Sequence, residues 1–222
     1  MKIILSVESE QFLAKMTDSI LDLVDGIKIN HILYDQIETI RRRLNMWREG
    51  QKELFVDFKL FDTPNTVETV TKDVISKGGT MLTVWANNDP ETFKILSRKD
   101  ISDKIKLLSV VHLTSSVSEH REQKTDETYW QLSLDKAFLS KFYGTICAVQ
   151  NLAQVKAINK NLKTICPGIK FFENDENTGQ RSTASPIQAK KEGADYIVIG
   201  RSVTNSDRPL SILELIRQEI TK

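Results

Sequence analysis

Residues 54–85 read LFVDFKLFDTPNTVETVTKDVISKGGTMLTVW. Leu54 to Phe58 is a short, mostly apolar run of the length of a buried strand, and Thr80 to Trp85 is a second. Between them Pro64 ends regular structure, because the residue before a proline is pushed out of helical geometry, and Thr66 to Ser76 then carries a helical pattern. A strand, a helix and a strand in immediate succession make the unit from which parallel sheets are assembled.

The same alternation extends in both directions. Ile3 to Val7 and Gly26 to Ile29 read as strands before this unit, and Lys106 to Leu113, Gly144 to Val149, Lys163 to Cys166 and Asp195 to Gly200 after it. Helical spacing of apolar residues marks Ser9 to Val24, through Phe12, Leu13, Met16, Ile20, Leu21 and Leu23. It marks Asp207 to Ile220 through Leu210, Leu213, Leu215 and Ile216, and Gln150 to Asn159 more briefly. Ser185 to Lys191 adds a helix with Ser185 as N-cap and Pro186 at its first position. Eight strands alternating with helices predict an α/β fold with an all-parallel sheet, closed as a (β/α)8 barrel of the TIM type, with residues 1–222 as one domain. Two long polar stretches, 114–127 and 170–182, each follow a strand, where such barrels carry their sites and lids.

Composition narrows the function. Lys and Arg number 31 against 30 Asp and Glu, a formal charge of +1, which argues against a protein that coats nucleic acid. Any preference for anions must then be local. At 40% hydrophobic and 27% charged residues the chain has the composition of a soluble globule. Cys147 and Cys166 sit in apolar surroundings without metal-ligand spacing and read as reduced core thiols. The apolar run at the N-terminus is too short for a signal-peptide core, and no membrane-length apolar segment follows, so a cytoplasmic location is expected.

The densest chemistry lies inside the opening stretch, at Asp57, Lys59 and Asp62. Residues two apart on a strand share a face, so Asp57 and Lys59 project together, and at the end of a barrel strand that direction is the mouth of the pocket. Near the C-terminus, GADYIVIGRS ends an apolar strand in Gly200, Arg201 and Ser202, a set of N–H groups, guanidinium and hydroxyl suited to a phosphate. Cys166-Pro167-Gly168-Ile169-Lys170 closes the strand before it, with Pro-Gly forcing a turn that lets Lys170, Gln180 and Arg181 close over an anion. Lys28 ends the second strand, and His112-Leu-Thr114 ends the fifth. His31, His112 and His120 share no spacing that suggests a metal site, and none is expected.

Together these motifs resemble the orotidine 5'-phosphate decarboxylase family, over nearly the whole chain. VDFKLFDTPNTV is similar to the family signature Asp-x-Lys-x-x-Asp-Ile-Pro-x-Thr, with Thr63 in place of Ile. HLTSS, CPGIK, GQRSTASP and GADYIVIGRSVT resemble four further family motifs in the family's order. The resemblance implies a homodimeric barrel that converts orotidine 5'-phosphate to UMP and carbon dioxide without a cofactor. It implies that Lys59 protonates C6 of the pyrimidine, that Asp57 faces the substrate carboxylate and that Lys28 completes the charge array. Asp62 and Thr66 would reach the partner subunit's site. Thr114 would touch the base, Lys170, Gln180, Gly200 and Arg201 would hold the phosphate, and Pro167 would also bind substrate.

Four further positions depart from the family pattern. Glu8 stands for a ribose-binding Asp, Lys170 for an Arg, Trp85 for a His and Ser182 for another Arg, changes that bear on ribose and phosphate affinity more than on the chemistry. Two other readings stay open on sequence: a related sugar-phosphate decarboxylase or aldolase that uses Mg2+ and an enediolate, and a non-catalytic nucleotide-binding barrel.

Overall fold

The computed structural model describes residues 1–46, 52–111, 142–171 and 182–221. Its first half runs β1 Lys2–Ser6, α1 Glu10–Lys15, α2 Asp18–Asp22, β2 Gly26–Ile29, α3 Ile37–Asn45, β3 Glu53–Leu60, α4 Pro64–Ser76 and β4 Met81–Trp85. Then follow α5 Pro90–Leu96, α6 Lys99–Ser102, β5 Lys106–Val110, β6 Gly144–Ile146 and α7 Leu152–Ile158. The chain closes with β7 Lys163–Ile169, α8 Pro186–Lys191, β8 Tyr196–Ile199, α9 Arg201–Thr204 and α10 Pro209–Thr221. The strands pair in chain order, all parallel, and β8 returns to β1, so the sheet is a closed (β/α)8 barrel as the alternation predicts.

Several boundaries differ from expectation for identifiable reasons. Pro64 is the first residue of α4 rather than a stop ahead of it, because a proline's missing N–H costs nothing in the first turn of a helix. The helix expected over Ser9 to Val24 is two short helices, with Met16 between them in extended geometry. Ser9 caps the first by accepting a hydrogen bond from the Phe12 N–H. The strand expected over Gly144 to Val149 stops at Ile146, and Val149–Asn151 forms a 3-10 turn. Pro167-Gly168 does not end its strand in a turn. β7 continues to Ile169 through a register shift after Cys166, with Gly168 at φ 76°, a bulge that suits a residue without an N–H followed by one without a side chain. Ser185 caps α8 through the Gln188 N–H at 3.1 Å, with Pro186 at its first position, as expected.

Period-two alternation sorts each strand into an outward and an inward set. Ile3, Leu5, Ile27, Leu54, Val56, Leu82 and Ile197 pack with the helices in the outer core. Ile4, Phe55, Met81, Leu108, Ile165, Tyr196 and Val198 form a separate cluster drawn from six strands, which fills the barrel interior. Gly26 belongs to this inner layer. A Cβ there would lie 2.5 Å from the Glu53 carbonyl and 2.9 Å from Ile4 Cδ1, so only glycine fits.

Below the apolar layer, at the start of the strands, polar groups are consumed by one another. The Tyr143 and Tyr196 hydroxyls are 2.7 Å apart, and Glu53 binds Lys106 and accepts from Thr80 Oγ1 at 2.8 Å. Asp195 accepts from Lys156 Nζ at 2.7 Å, Lys163 Nζ at 2.9 Å and the Thr164 N–H at 3.0 Å. Burial would push its carboxyl up, but those donors hold it at about 2. Cys147 and Cys166 are buried and unbridged, and their mutual hydrogen bond together with burial pushes the Cys147 thiol well above its ordinary value. Among the described residues no helix is long and apolar enough to cross a membrane.

Candidate active site

One step beyond the packed inner layer, the same alternation delivers polar residues into the barrel. Ser6 follows Ile4 by two, Lys28 follows Gly26, Asp57 follows Phe55 and Thr83 follows Met81. Ser6, Lys28 and Thr83 are buried, and Asp57 is nearly so. Four adjacent strands thus place a hydroxyl, an ammonium, a carboxylate and a second hydroxyl on one apolar floor.

The charges meet there in alternating order. Asp57 Oδ2 lies 3.2 Å from Lys28 Nζ and 2.9 Å from Lys59 Nζ, so one carboxylate oxygen serves two ammonium groups. Lys28 Nζ is also 3.5 Å from Glu8 Oε1, which in turn accepts from Ser6 Oγ at 3.2 Å. Side-chain exposure rises from 11% at Lys28 and 14% at Asp57 to 37% at Lys59 and 53% at Glu8, so the array runs from the floor to the mouth. Burial alone would raise the Asp57 carboxyl. Attraction to Lys28 and Lys59, with hydrogen bonds from Lys59 and Thr83, outweighs burial and holds it below the usual carboxylate range. Asp57 is therefore ionised, and both neighbouring ammonium groups share its charge.

Lys59 reaches this position by an irregular backbone. The β3–β4 pairing shifts register between Val56 and Leu60, and Lys59 has φ 51°, the only positive φ outside glycine among the described residues. For a residue with a Cβ this costs on the order of 1 kcal/mol, and such positions persist only where surrounding contacts hold them. Two residues of β4 and its following loop supply those contacts. Thr83 Oγ1 accepts the Lys59 N–H at 2.8 Å and donates to Asp57 Oδ1 at 2.9 Å. Asn88, buried, donates through Nδ2 to the Leu60 carbonyl at 2.8 Å and accepts the Asp62 N–H at 3.3 Å. Neither residue stands out in the sequence. Thr83 is ordinary in a strand, and only the inward parity inherited from Met81 marks it.

The other expected residues fall into three groups. Asp62 and Thr66 are exposed just past β3. Asp62 accepts the Thr63 N–H at 2.6 Å and makes no ion pair with Lys28 or Lys59, and Thr66 Oγ1 lies 2.9 Å from Thr63 Oγ1. Pro167, Lys170, Gly200 and Arg201 come together at the ends of β7 and β8. Ile169 pairs with Ile199 across the two strands, Ala184 donates to the Gly168 carbonyl, and the Phe171 N–H donates to Ser202 Oγ at 3.3 Å. Ser202 is buried, so its hydroxyl joins the two loops rather than facing the rim as expected. A Cβ on Gly200 would stand 3.4 Å from Ser6 Cβ, which places this rim beside β1 and hence beside Glu8. Thr114 and Gln180, with His112 and Arg181, lie outside the described residues.

Known proteins give this geometry a family. Residues 1–216 match the orotidine 5'-phosphate decarboxylase / HUMPS family model. An orotidine 5'-phosphate decarboxylase from Wolbachia pipientis is 34% identical over 173 residues, 76% of each chain. One from Fusobacterium nucleatum is 31% identical over 204 residues, covering 86% of this chain and 83% of the relative. Among solved structures, the Lactobacillus acidophilus orotidine 5'-phosphate decarboxylase superposes with a TM-score of 0.77 at 24% identity, covering 100% of this chain and 99% of that one. The barrel, the shared carboxylate within β3 and these matches agree: the chain belongs to the orotidine 5'-phosphate decarboxylase / HUMPS family.

Proposed function

We propose that this chain decarboxylates orotidine 5'-phosphate to UMP and carbon dioxide in pyrimidine biosynthesis, without a cofactor, as a single-domain homodimeric barrel of the cytoplasm. The observation that carries the reading is the Asp57 carboxylate shared by Lys28 and Lys59 on the barrel floor, in a chain whose matched relatives bear that activity in their names. Breaking the C6–carboxylate bond leaves its electron pair on C6, where the pyrimidine ring delocalises it poorly. The site must therefore stabilise that carbon by charge and supply a proton. In this reading Lys59 gives the proton from Nζ to C6 as carbon dioxide departs, and recovers one from solvent through its partial exposure. Asp57 aims Lys59 through their ion pair at 2.9 Å, and Lys28 adds a second fixed positive charge. Charges already in place need no reorganisation during the reaction.

The remaining residues bind. Lys170, Gly200 and Arg201, with Pro167 and Gln180, take the phosphate, Glu8 the ribose and Thr114 the base. A second copy of the chain brings its Asp62 and Thr66 to this array. Support for that arrangement is the exposure of both side chains beside the pocket mouth and the absence of an ion pair from Asp62 to Lys28 or Lys59 in its own protomer.

The test is the loss of orotidine 5'-phosphate absorbance on addition of purified protein, before and after EDTA treatment. Turnover unaffected by EDTA is expected. Activity abolished by EDTA and restored by Mg2+ favours enediolate chemistry instead, and no turnover by folded protein favours a binding barrel. Arg201→Ala removes charge-assisted hydrogen bonds worth about 1.5–3 kcal/mol each, so it raises KM about 10- to 100-fold and changes kcat less. Steady-state kinetics check this, and an unchanged KM would take Arg201 out of the phosphate site.

A further inference from the structure

We propose that Thr83 is a positioning residue for this reaction: its one hydroxyl fixes both the carboxylate of Asp57 and the backbone of Lys59. The proposal rests on the decarboxylase reading and deepens it. Thr83 has no exposed surface, and a hydroxyl there is costly unless it is paired. It is paired in both of its capacities. An ionised Asp57 has no proton to give, so the hydroxyl hydrogen points to Asp57 Oδ1 at 2.9 Å, and its lone pair is left for the Lys59 N–H at 2.8 Å.

Each bond acts on a different half of the pair. Occupying Oδ1 turns the carboxylate so that Oδ2 faces Lys28 and Lys59 at 3.2 and 2.9 Å. Accepting the Lys59 N–H substitutes for a ladder bond at the place where the β3–β4 register shifts. It thereby offsets the cost of φ 51° at Lys59. Without the hydroxyl the strand is released toward an ordinary β conformation, which re-aims the stem of Lys59. The ammonium group remains in the pocket but moves away from where C6 would lie, and a displacement of about 1 Å costs on the order of 100-fold in rate.

The same two strands carry a built-in control. Thr80, just before the start of β4, donates to Glu53 Oε2 at 2.8 Å and accepts the Leu54 N–H at 2.8 Å, also tying this chain segment to β3 but at the end of the barrel away from the charge array. Thr83→Val, nearly isosteric, is expected to lower kcat about 100-fold with KM within about three-fold of wild type. Thr83→Ser restores kcat, and Thr80→Val lowers the melting temperature without lowering kcat. If Thr83→Val does not fold, Thr83→Ala carries the same expectation. Wild-type kcat in the folded Thr83 variant, or an equal loss of kcat in Thr80→Val, overturns the positioning role. An inactive wild-type protein overturns the decarboxylase reading instead, and is seen before any variant is compared.

Discussion

Lys59→Ala abolishes turnover while leaving nucleotide binding measurable. General acid catalysis alone contributes about 10²- to 10⁴-fold, and here the same side chain also supplies electrostatic stabilisation, so kcat falls by at least about 10⁴-fold. Binding survives because the proposed phosphate rim, at the ends of β7 and β8, is built from other strands and does not depend on β3. Folding survives as well. Lys59 is more than a third exposed, its backbone bond to Thr83 does not involve its side chain, and alanine leaves Asp57 paired with Lys28. Single-turnover assays together with UMP titration separate the two quantities. Near-normal decarboxylation by the alanine variant would remove Lys59 from the chemistry.

Asp57→Asn has the second large effect, and it acts on stability as well as rate. The substitution keeps an acceptor for Thr83 but removes the negative charge between two ammonium groups, one of them nearly buried. Deleting one member of a buried charge cluster costs about 3–5 kcal/mol, reduced here because Lys28 keeps Glu8 at 3.5 Å. About 2–3 kcal/mol of lost unfolding free energy is therefore expected in urea. Turnover falls by at least about 10³-fold, since Lys59 loses the charge that orients it. The pH dependence has a definite sign. The folded carboxyl lies below its ordinary value of 3.8, so its stabilisation is complete above about pH 4 and is lost as pH falls through the folded value. The stability gap between wild type and Asp57→Asn therefore narrows on acidification below about pH 4 and stays constant above it. A gap that widened there would contradict the assignment of Asp57 as the ionised centre.

Much of this was legible in the sequence, because both fold and site follow from period-two alternation. All eight strands appear where apolar runs mark them, and the parity that places Ile4, Phe55 and Met81 inside the barrel is the parity that aims Asp57 inward. Where the reading failed, a local rule gave way to the barrel. Pro167 looked like a stop, but a bulge carried β7 through it. Pro64 looked like a break, but it opens α4. Asp57 and Lys59 do face one another, although by a bulge and a positive φ at Lys59 rather than by the regular alternation that predicts it. Glu8 was expected at the ribose, and the structure adds an ion pair to Lys28 that sequence distance hid. Thr83 and Asn88 were missed altogether. Each is a residue type common at its kind of position, and its role exists only in what it touches across the gap to β3.

In the proposed reaction Lys59 delivers a proton to C6 as carbon dioxide leaves. The most direct measurement is to incubate EDTA-dialysed protein with orotidine 5'-phosphate in D2O and to analyse the nucleotide product by mass and NMR spectroscopy. UMP carrying one deuterium at C6 and an equal amount of carbon dioxide are expected, with neither formed by Lys59→Ala. Unconverted substrate, or the same deuterated product at a comparable rate from the alanine variant, would contradict it.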